Sequence, residues 1–98
     1  MKVIVDFCII PIGTGISLSK YIFLCQKILS NYPLDCRVHA YGTTIEGLWN
    51  DVFDAIKACH ETLHDDGVIR LHTQLKIGTR TDKQQSAQDK IDSVINQF

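Results

Sequence analysis

The densest group of chemically versatile side chains in this chain lies between Gly42 and Trp49. This short segment carries two hydroxyls and one carboxylate between two glycines, with one indole two residues later, and it reads Gly42-Thr43-Thr44-Ile45-Glu46-Gly47-Leu48-Trp49. A carboxylate accepts from N–H groups, hydroxyls orient the same ligand, and an indole offers a flat face for stacking. The segment therefore predicts one wall of a ligand site. The alternative is a tight hairpin whose Thr and Glu residues cap the next helix, with Trp49 in the core.

A second group with possible chemistry is the stretch 68–83. Apolar and polar residues alternate there with period 2, so one strand face carries Arg70, His72, Gln74 and Lys76. The turn 78–83, which contains Arg80, then opens a helix. A basic strand face beside a helix N-terminus can bind an anion or a polar small ligand. The alternative is a solvated strand followed by a capped helix.

The run His60-Glu61-Thr62-Leu63-His64 matches the short zinc-protease pattern H-E-x-x-H. The helix ends immediately afterwards at Asp65-Asp66-Gly67, and a third metal ligand has no expected position. Four scattered cysteines form no C-x-x-C pair and are typical of small buried side chains in a reducing compartment. We therefore expect no metal site, no cofactor and no catalytic residues, and the chain is not expected to be an enzyme.

The elements that must position these residues follow from hydrophobic periodicity. The expected order is a strand at 3–10, a helix at 18–29 capped by Ser17, strands at 35–41 and 43–46, a helix at 48–64, a strand at 68–77 and a helix at 82–97. In the first helix, Ser19, Lys20, Gln26 and Lys27 are expected to face away from the core. Gly67 suits the left-handed position after the second helix, and Thr81 with Gln84 matches a capping box for the last one.

This order predicts an α+β fold of one domain, residues 1–98. A β-α-β-β-α-β sequence is the ferredoxin-like arrangement, here with an extra C-terminal helix. Right-handed crossovers place both helices on one face of an antiparallel sheet. The other face is left bare, and its expected occupants are Asp6, Arg37, His39, Tyr41, Arg70, His72, Gln74 and Lys76. The apolar stripe of the last helix also needs cover, which favours self-association with two-fold symmetry.

Charge and composition restrict the partners. Of the 98 residues, 45% are apolar and 21% charged, and the net charge is −1. The chain has no general basic field, and the sheet face offers Asp6 or Cys8 on the central strand and Arg70, His72 and Gln74 on the last strand, where the RNA-binding relative of this fold displays aromatic residues. Nucleic-acid binding is therefore not expected. No signal peptide and no stretch of membrane-spanning length is apparent, so we expect a cytoplasmic protein without a membrane partner.

Several blocks along the chain carry a family resemblance. They are Pro11-Ile12-Gly13-Thr14, Gly42-Thr43-Thr44-Ile45-Glu46-Gly47 with Trp49 and Asp51-Val52, Arg70-x-His72-Thr73, Gly78-Thr79-Arg80-Thr81-Asp82-Lys83 and Ala87-Gln88-Asp89-Lys90-Ile91-Asp92. In this order they resemble the small thiamine-binding-protein family, particularly its fungal cytosolic members. The resemblance implies the same architecture, a homotetramer built as a dimer of dimers, and thiamine or a related pyrimidine as a possible ligand. It implies no catalytic activity.

Thiamine suits the chemistry of the residues above. Its aminopyrimidine needs an acceptor for the exocyclic amine and a flat neighbour, and its thiazolium is cationic, whereas a phosphorylated form would favour Arg70, Lys76 or Arg80. The expected ligand contacts are Asp6, Tyr41, Thr43, Thr44, Glu46, Trp49, Arg70, His72 and Arg80. The alternative is an interaction protein whose polar sheet face serves only to build the oligomer.

Overall fold

Seven elements make up the computed structural model, which describes residues 1–98. They are β1 (Lys2–Ile12), α1 (Ser19–Leu29), β2 (Asp35–His39), β3 (Gly42–Leu48), α2 (Trp49–Asp65), β4 (Arg70–Gly78) and α3 (Ala87–Ile95). The order of elements predicted from the sequence is confirmed. No helix of the chain combines the length and apolar character that crossing a membrane requires.

The four strands form one antiparallel sheet in the order β2-β3-β1-β4. This is the ferredoxin-like α+β fold expected from the sequence. β1 pairs with β4 from Ile4 to Ile12, but its pairing with β3 ends at Phe7. The central strand therefore has one edge that is only partly covered.

The core lies between the sheet and the pair α1 and α2. Alternate residues of β1 point into it, and its buried members are Val3, Val5, Phe7, Ile9, Cys25, Leu29, Ile45, Val52, Ala55, Ile56, Cys59, Leu63 and Val68. The period-2 alternation sends Asp6 to the opposite face, as predicted. Burial of these apolar side chains is what fixes the register of β1.

Turn geometry explains two of the glycines. Gly67 follows α2 with φ of 100°, the left-handed conformation predicted from the sequence. Gly42 opens β3, and a Cβ there would lie 2.7 Å from the backbone oxygen of Phe7. Only a residue without a side chain allows β1 and β3 to approach this closely.

Two predicted helix starts are wrong. α1 begins at Ser19, with Leu18 at the N-cap position and no side-chain cap, so Ser17 does not cap it. α3 begins at Ala87 rather than near residue 82, because its capping box is formed by Ser86 and Asp89. Gln26 was also expected to face away from the core, but its side chain bonds to the sheet.

Candidate functional site

The start of α3 rests on the sheet face that was predicted to be bare. The Ala87 N–H donates to Glu46 Oε1 at 2.9 Å, and Arg37 Nη1 donates to Gln88 Oε1 at 2.7 Å. Glu46 is only 6% exposed. The carboxylate therefore satisfies a free N–H group at the positive end of the helix, and it connects α3 to β3.

The capping box beside Glu46 completes this helix start. The Ser86 hydroxyl accepts from Asp89 N–H at 3.0 Å, and Asp89 Oδ2 accepts from Ser86 N–H at 2.9 Å. The Ser86 N–H bonded to the Asp89 carboxylate, and then the Ser86 side chain beside it, hold the pKa of Asp89 below its ordinary value. Glu46 thus acts as part of a structural cluster, and its expected place in a ligand wall has to compete with that role.

Adjacent residues of β3 point to opposite faces of the sheet. Thr43 is buried on the helix side, where its hydroxyl accepts from Gln26 Nε2 at 3.0 Å. Thr44 lies opposite Asp6 and Arg37 on the other face. The two hydroxyls consequently do not converge on one ligand, contrary to the sequence-based picture of a single wall.

A mostly apolar cleft opens where the β2–β3 hairpin turns. Its volume is about 220 Å³, and ten of its fourteen lining residues are hydrophobic, among them Leu18, Ile22, Val38 and Tyr41. Its polar groups include the bonded pair Gln26 and Thr43. We call this space the hairpin cleft.

At the mouth of the hairpin cleft, three residues form a short hydrogen-bonded chain. Tyr41 N–H donates to His39 Nδ1 at 3.3 Å, which leaves the ring proton on Nε2. That Nε2 donates to Asp6 Oδ1 at 2.8 Å. The phenol of Tyr41 is 89% exposed, so its ring is free to cover a bound molecule.

A second hollow lies beside the mouth on the open sheet face. It is an open groove of about 540 Å³ lined by Asp6, Cys8, Tyr41, Gln74, Leu75 and Lys76. Cys8 and Tyr41 line both hollows. We call it the sheet groove. It offers one carboxylate and one ammonium, because Asp6 and Lys76 are directly paired across β1 and β4.

Arg80 lies in a separate basic cavity of about 280 Å³. The cavity is lined by ten residues, four of them cationic: Lys2, Arg80, Lys83 and Lys90. Arg80 is held by the carboxylate of Asp82 and by Gln85 Oε1 at 2.8 Å. The hydrogen bond from Arg80 lowers the pKa of Asp82 to about 2. Part of the positive charge of Arg80 is therefore already neutralised.

The remaining expected contacts lie elsewhere. Trp49 begins α2, its ring centroid is 4.7 Å from that of Phe53, and it lines a hollow with Met1, Leu48, Asn50 and Asp51. Arg70 and His72 face the open side of β4, opposite Ile12 and Ile10. The nine predicted residues thus fall into several groups, and only Asp6, Tyr41 and Thr43 border the hairpin cleft or the sheet groove beside it.

The two histidines of the H-E-x-x-H run have protein partners. His60 Nε2 is within 2.5 Å of Thr73 Oγ1, and His64 Nδ1 donates to the Val68 carbonyl at 2.7 Å. Burial, and then the neighbouring imidazole, lowers the pKa of His60. These contacts connect α2 to β4 through Thr73 and to the segment before β4 through Val68, which is a structural use of both rings.

Sequence reasoning missed Gln26 and the backbone around Ile9 as possible ligand contacts. Gln26 follows the polar face of α1, and nothing in the sequence indicates that this side chain reaches across 17 positions to Thr43. The backbone groups of Ile9 become available only because β3 turns away after Phe7. Gly42, at the start of β3, is the one feature of the sequence that could have suggested these free backbone groups.

One antiparallel sheet, two crossover helices on one face and a third helix on the other define a small ferredoxin-like α+β protein. Comparison with known families agrees with this class. The model of the thiamine-binding protein family matches residues 5–95, and the chain belongs to that family.

Relatives are similar over nearly all of this chain, and solved structures share its fold. A UPF0045 protein of Synechocystis sp. is 48% identical over 96% of this chain and 78% of its own, and the UPF0045 protein ECM15 of Eremothecium gossypii is 44% identical over 96% and 90%. The crystal structure of a hypothetical protein from Methanocaldococcus jannaschii has a TM-score of 0.89 at 34% identity, covering 95% of each chain. A Thermotoga maritima protein, proposed to act in thiamine biosynthesis or salvage, has a TM-score of 0.81 at 21% identity, covering 96% of this chain and 99% of its own. This last likeness is one of fold alone.

Proposed function

We propose that this chain is a non-catalytic binding protein for thiamine or a related aminopyrimidine, and that it works as a homo-oligomer in the cytoplasm. Membership of the thiamine-binding family supports the ligand class. The observation that carries the proposal is the hairpin cleft, which is apolar except for a few inward polar groups. Small-molecule sites typically have this composition.

The size of the cleft favours a single ring. At about 220 Å³ it is smaller than the roughly 300 Å³ at which pockets for drug-sized ligands begin. Because the Thr43 hydroxyl accepts from Gln26, its own hydrogen remains available to a ring nitrogen. A pyrimidine in the cleft would thus meet apolar walls and at least one directed donor.

The sheet groove suits the other half of thiamine. It adjoins the cleft at Tyr41, and the Asp6 carboxylate there can neutralise a thiazolium. Of the three cations considered for a phosphorylated form, only Lys76 borders this groove; Arg70 and Arg80 do not line it. We therefore assign Lys76, rather than the other two, to any phosphate of the ligand.

Self-association is the second part of the proposal. The stripe formed by Ile91, Val94 and Ile95 on α3, together with Phe98 beyond its end, is between 52% and 98% exposed. An apolar surface of this kind is typical of a protein–protein contact. Another copy of the chain is the proposed cover, in line with the homotetramer expected from the family resemblance.

Isothermal titration calorimetry with thiamine tests the ligand assignment. Thr43→Val removes the hydroxyl donor while keeping the shape, and the loss of one hydrogen bond of about 1 kcal/mol should weaken binding about fivefold. Thr44→Val is the matched control, because Thr44 lines neither the hairpin cleft nor the sheet groove, and the same change there should leave affinity unchanged. Equal effects of both variants would remove the hairpin cleft from the site.

The competing function is an interaction protein in which any ligand is incidental. The exposed α3 stripe and the open sheet face are the observations that favour it. Native mass spectrometry of freshly purified protein distinguishes the two functions, because it reports subunit number and any co-purifying small molecule together. An oligomer that neither carries nor takes up an aminopyrimidine would support the interaction protein and contradict our proposal.

A further inference from the structure

The central strand β1 has a free edge inside the hairpin cleft. On one side it is paired with β4 as far as Ile12, whereas on the other its pairing with β3 ends at Phe7. The hairpin turns at Ala40 and Tyr41, just where the next pair would form. From Cys8 onwards this side of β1 has no neighbouring strand, and residues 7–10 line the cleft.

The regular register of β1 identifies the groups on this free edge. In an antiparallel ladder the N–H and C=O of one residue point to the same side, and successive residues alternate. Trp49 N–H donates to the Met1 carbonyl at 2.8 Å, so Met1 and every second residue after it point towards β3. Ile9 therefore directs its N–H and its C=O into the cleft. The backbone hydrogen bonds outside the regular ladders include none to Ile9.

The free edge is short as well as buried. Ile9 as a whole residue is 8% exposed, and its backbone N–H and C=O face the hairpin cleft, where a bound molecule can be their partner. The next residue on the same side is Pro11, which has no N–H to donate. Between the hairpin turn and Pro11 the edge thus presents one complete donor–acceptor pair, which is too little for an added strand and enough for one small ring.

We propose that the backbone N–H and C=O of Ile9 bind the edge of an aminopyrimidine, with the N–H donating to a ring nitrogen and the C=O accepting from the adjacent exocyclic amine. This assignment rests on the proposed function and names the contact that selects the ligand. A phosphate or carboxylate has acceptors alone and leaves the carbonyl without a partner. An alkyl ammonium has donors alone and leaves the N–H without one. A ring nitrogen beside an amine satisfies both, in the way that a paired strand residue would.

A backbone ester tests this contact directly. The Ile9 amide is replaced by an ester, which substitutes oxygen for N–H and keeps the side chain, in a full-length chain joined from synthetic segments at the native Cys25. Without the donor, thiamine binding measured by calorimetry should weaken about tenfold. The unmodified protein should likewise bind the 4-oxo analogue of thiamine at least tenfold more weakly, because that analogue inverts the donor–acceptor pattern of the ring.

An ester at Phe7 provides the matched control without any ligand. Phe7 is paired with Thr43, so its ester removes a ladder hydrogen bond and should lower the urea midpoint. Both esters also weaken the carbonyl of the preceding residue, Cys8 or Asp6, which faces β4. The ester at Ile9 should therefore lower the midpoint less than the ester at Phe7, because the Ile9 N–H has no partner in the protein. If the Ile9 ester binds thiamine as tightly as the natural chain does, this inference is overturned and the proposed function stands. If the natural chain binds neither thiamine nor its free pyrimidine, both are overturned.

Discussion

The carboxylate of Glu46 is predicted to hold α3 on the sheet, and Glu46→Ala is the change that tests it. The alanine removes the acceptor of the Ala87 N–H, a buried bond of 2.9 Å to a charged group. Such a bond contributes about 1.5–3 kcal/mol, and the helix N-terminus adds to its strength. We expect a loss of about 2 kcal/mol, which corresponds to about a 30-fold change in the docking equilibrium of α3.

Amide hydrogen exchange measures this equilibrium for each helix separately. α3 has nine residues, too few for a stable helix in isolation, so its amides lose protection when it leaves the sheet. In Glu46→Ala the amides of residues 91–95 should exchange about 30-fold faster, while those of residues 52–63 in α2 keep their rates. Glu46→Gln keeps an oxygen acceptor but loses the charge, and we expect it to lose only about 1 kcal/mol.

Glu61→Ala is the control for this experiment, because Glu61 is the one other glutamate and lies exposed on α2. It should leave the exchange of α3 unchanged. Unaltered exchange of α3 in Glu46→Ala would refute the structural role of the carboxylate. If thiamine affinity fell in that variant while α3 stayed protected, Glu46 would be a ligand contact, as the sequence first suggested.

Three further predictions concern the fold. Gly42→Ala places a Cβ 2.7 Å from the Phe7 oxygen and should lower the free energy of unfolding in urea by about 1–3 kcal/mol. Gly78→Ala is the control and should be tolerated, because the nearest atom to its Cβ is 3.9 Å away. Equal urea midpoints of the two variants would contradict the close approach of β1 and β3. The pKa of His60 is lowered in the folded chain, so as the pH falls the unfolded chain takes up a proton on this imidazole first. The free energy of unfolding should therefore be unchanged above pH 6.5 and decrease as the pH drops below it. His60→Gln should flatten this slope in denaturation curves recorded from pH 7.5 to 5. The contact with Cys25, and then burial, raises the pKa of the Cys59 thiol, which lies in the core. A disulfide reagent should therefore label Cys59 only at the rate of unfolding, and rapid labelling of the native protein would argue against its place in the core.

Most of the fold could be predicted because apolar periodicity reports burial directly. The alternation along β1 and β4 and the stripe on α2 each had one consistent interpretation. The start of α3 was different, since Thr81 with Gln84 and Ser86 with Asp89 both resemble a capping box. The choice between them was made by the bond from Ala87 to Glu46, a contact across 41 positions that no local pattern contains.

The candidate site was harder to predict for a related reason. Its members were grouped by closeness along the chain, yet neighbours such as Thr43 and Thr44 point to opposite faces of β3. The contacts that now define the hairpin cleft are long-range or belong to the backbone. Gln26 reaches Thr43 from another element, and the free groups of Ile9 depend on where a neighbouring strand ends. Side-chain identity alone does not report either of these.

The exposed stripe of α3 has a thermodynamic consequence for every measurement on this chain. A copy that covers the stripe binds only the folded state, so it stabilises that state by mass action. The unfolding midpoint would then rise with protein concentration, whereas a stripe left in water gives one midpoint at all concentrations. A dilution series of melting curves therefore reports assembly. Affinities for aminopyrimidines are comparable only when they are measured at protein concentrations that give the same oligomeric state.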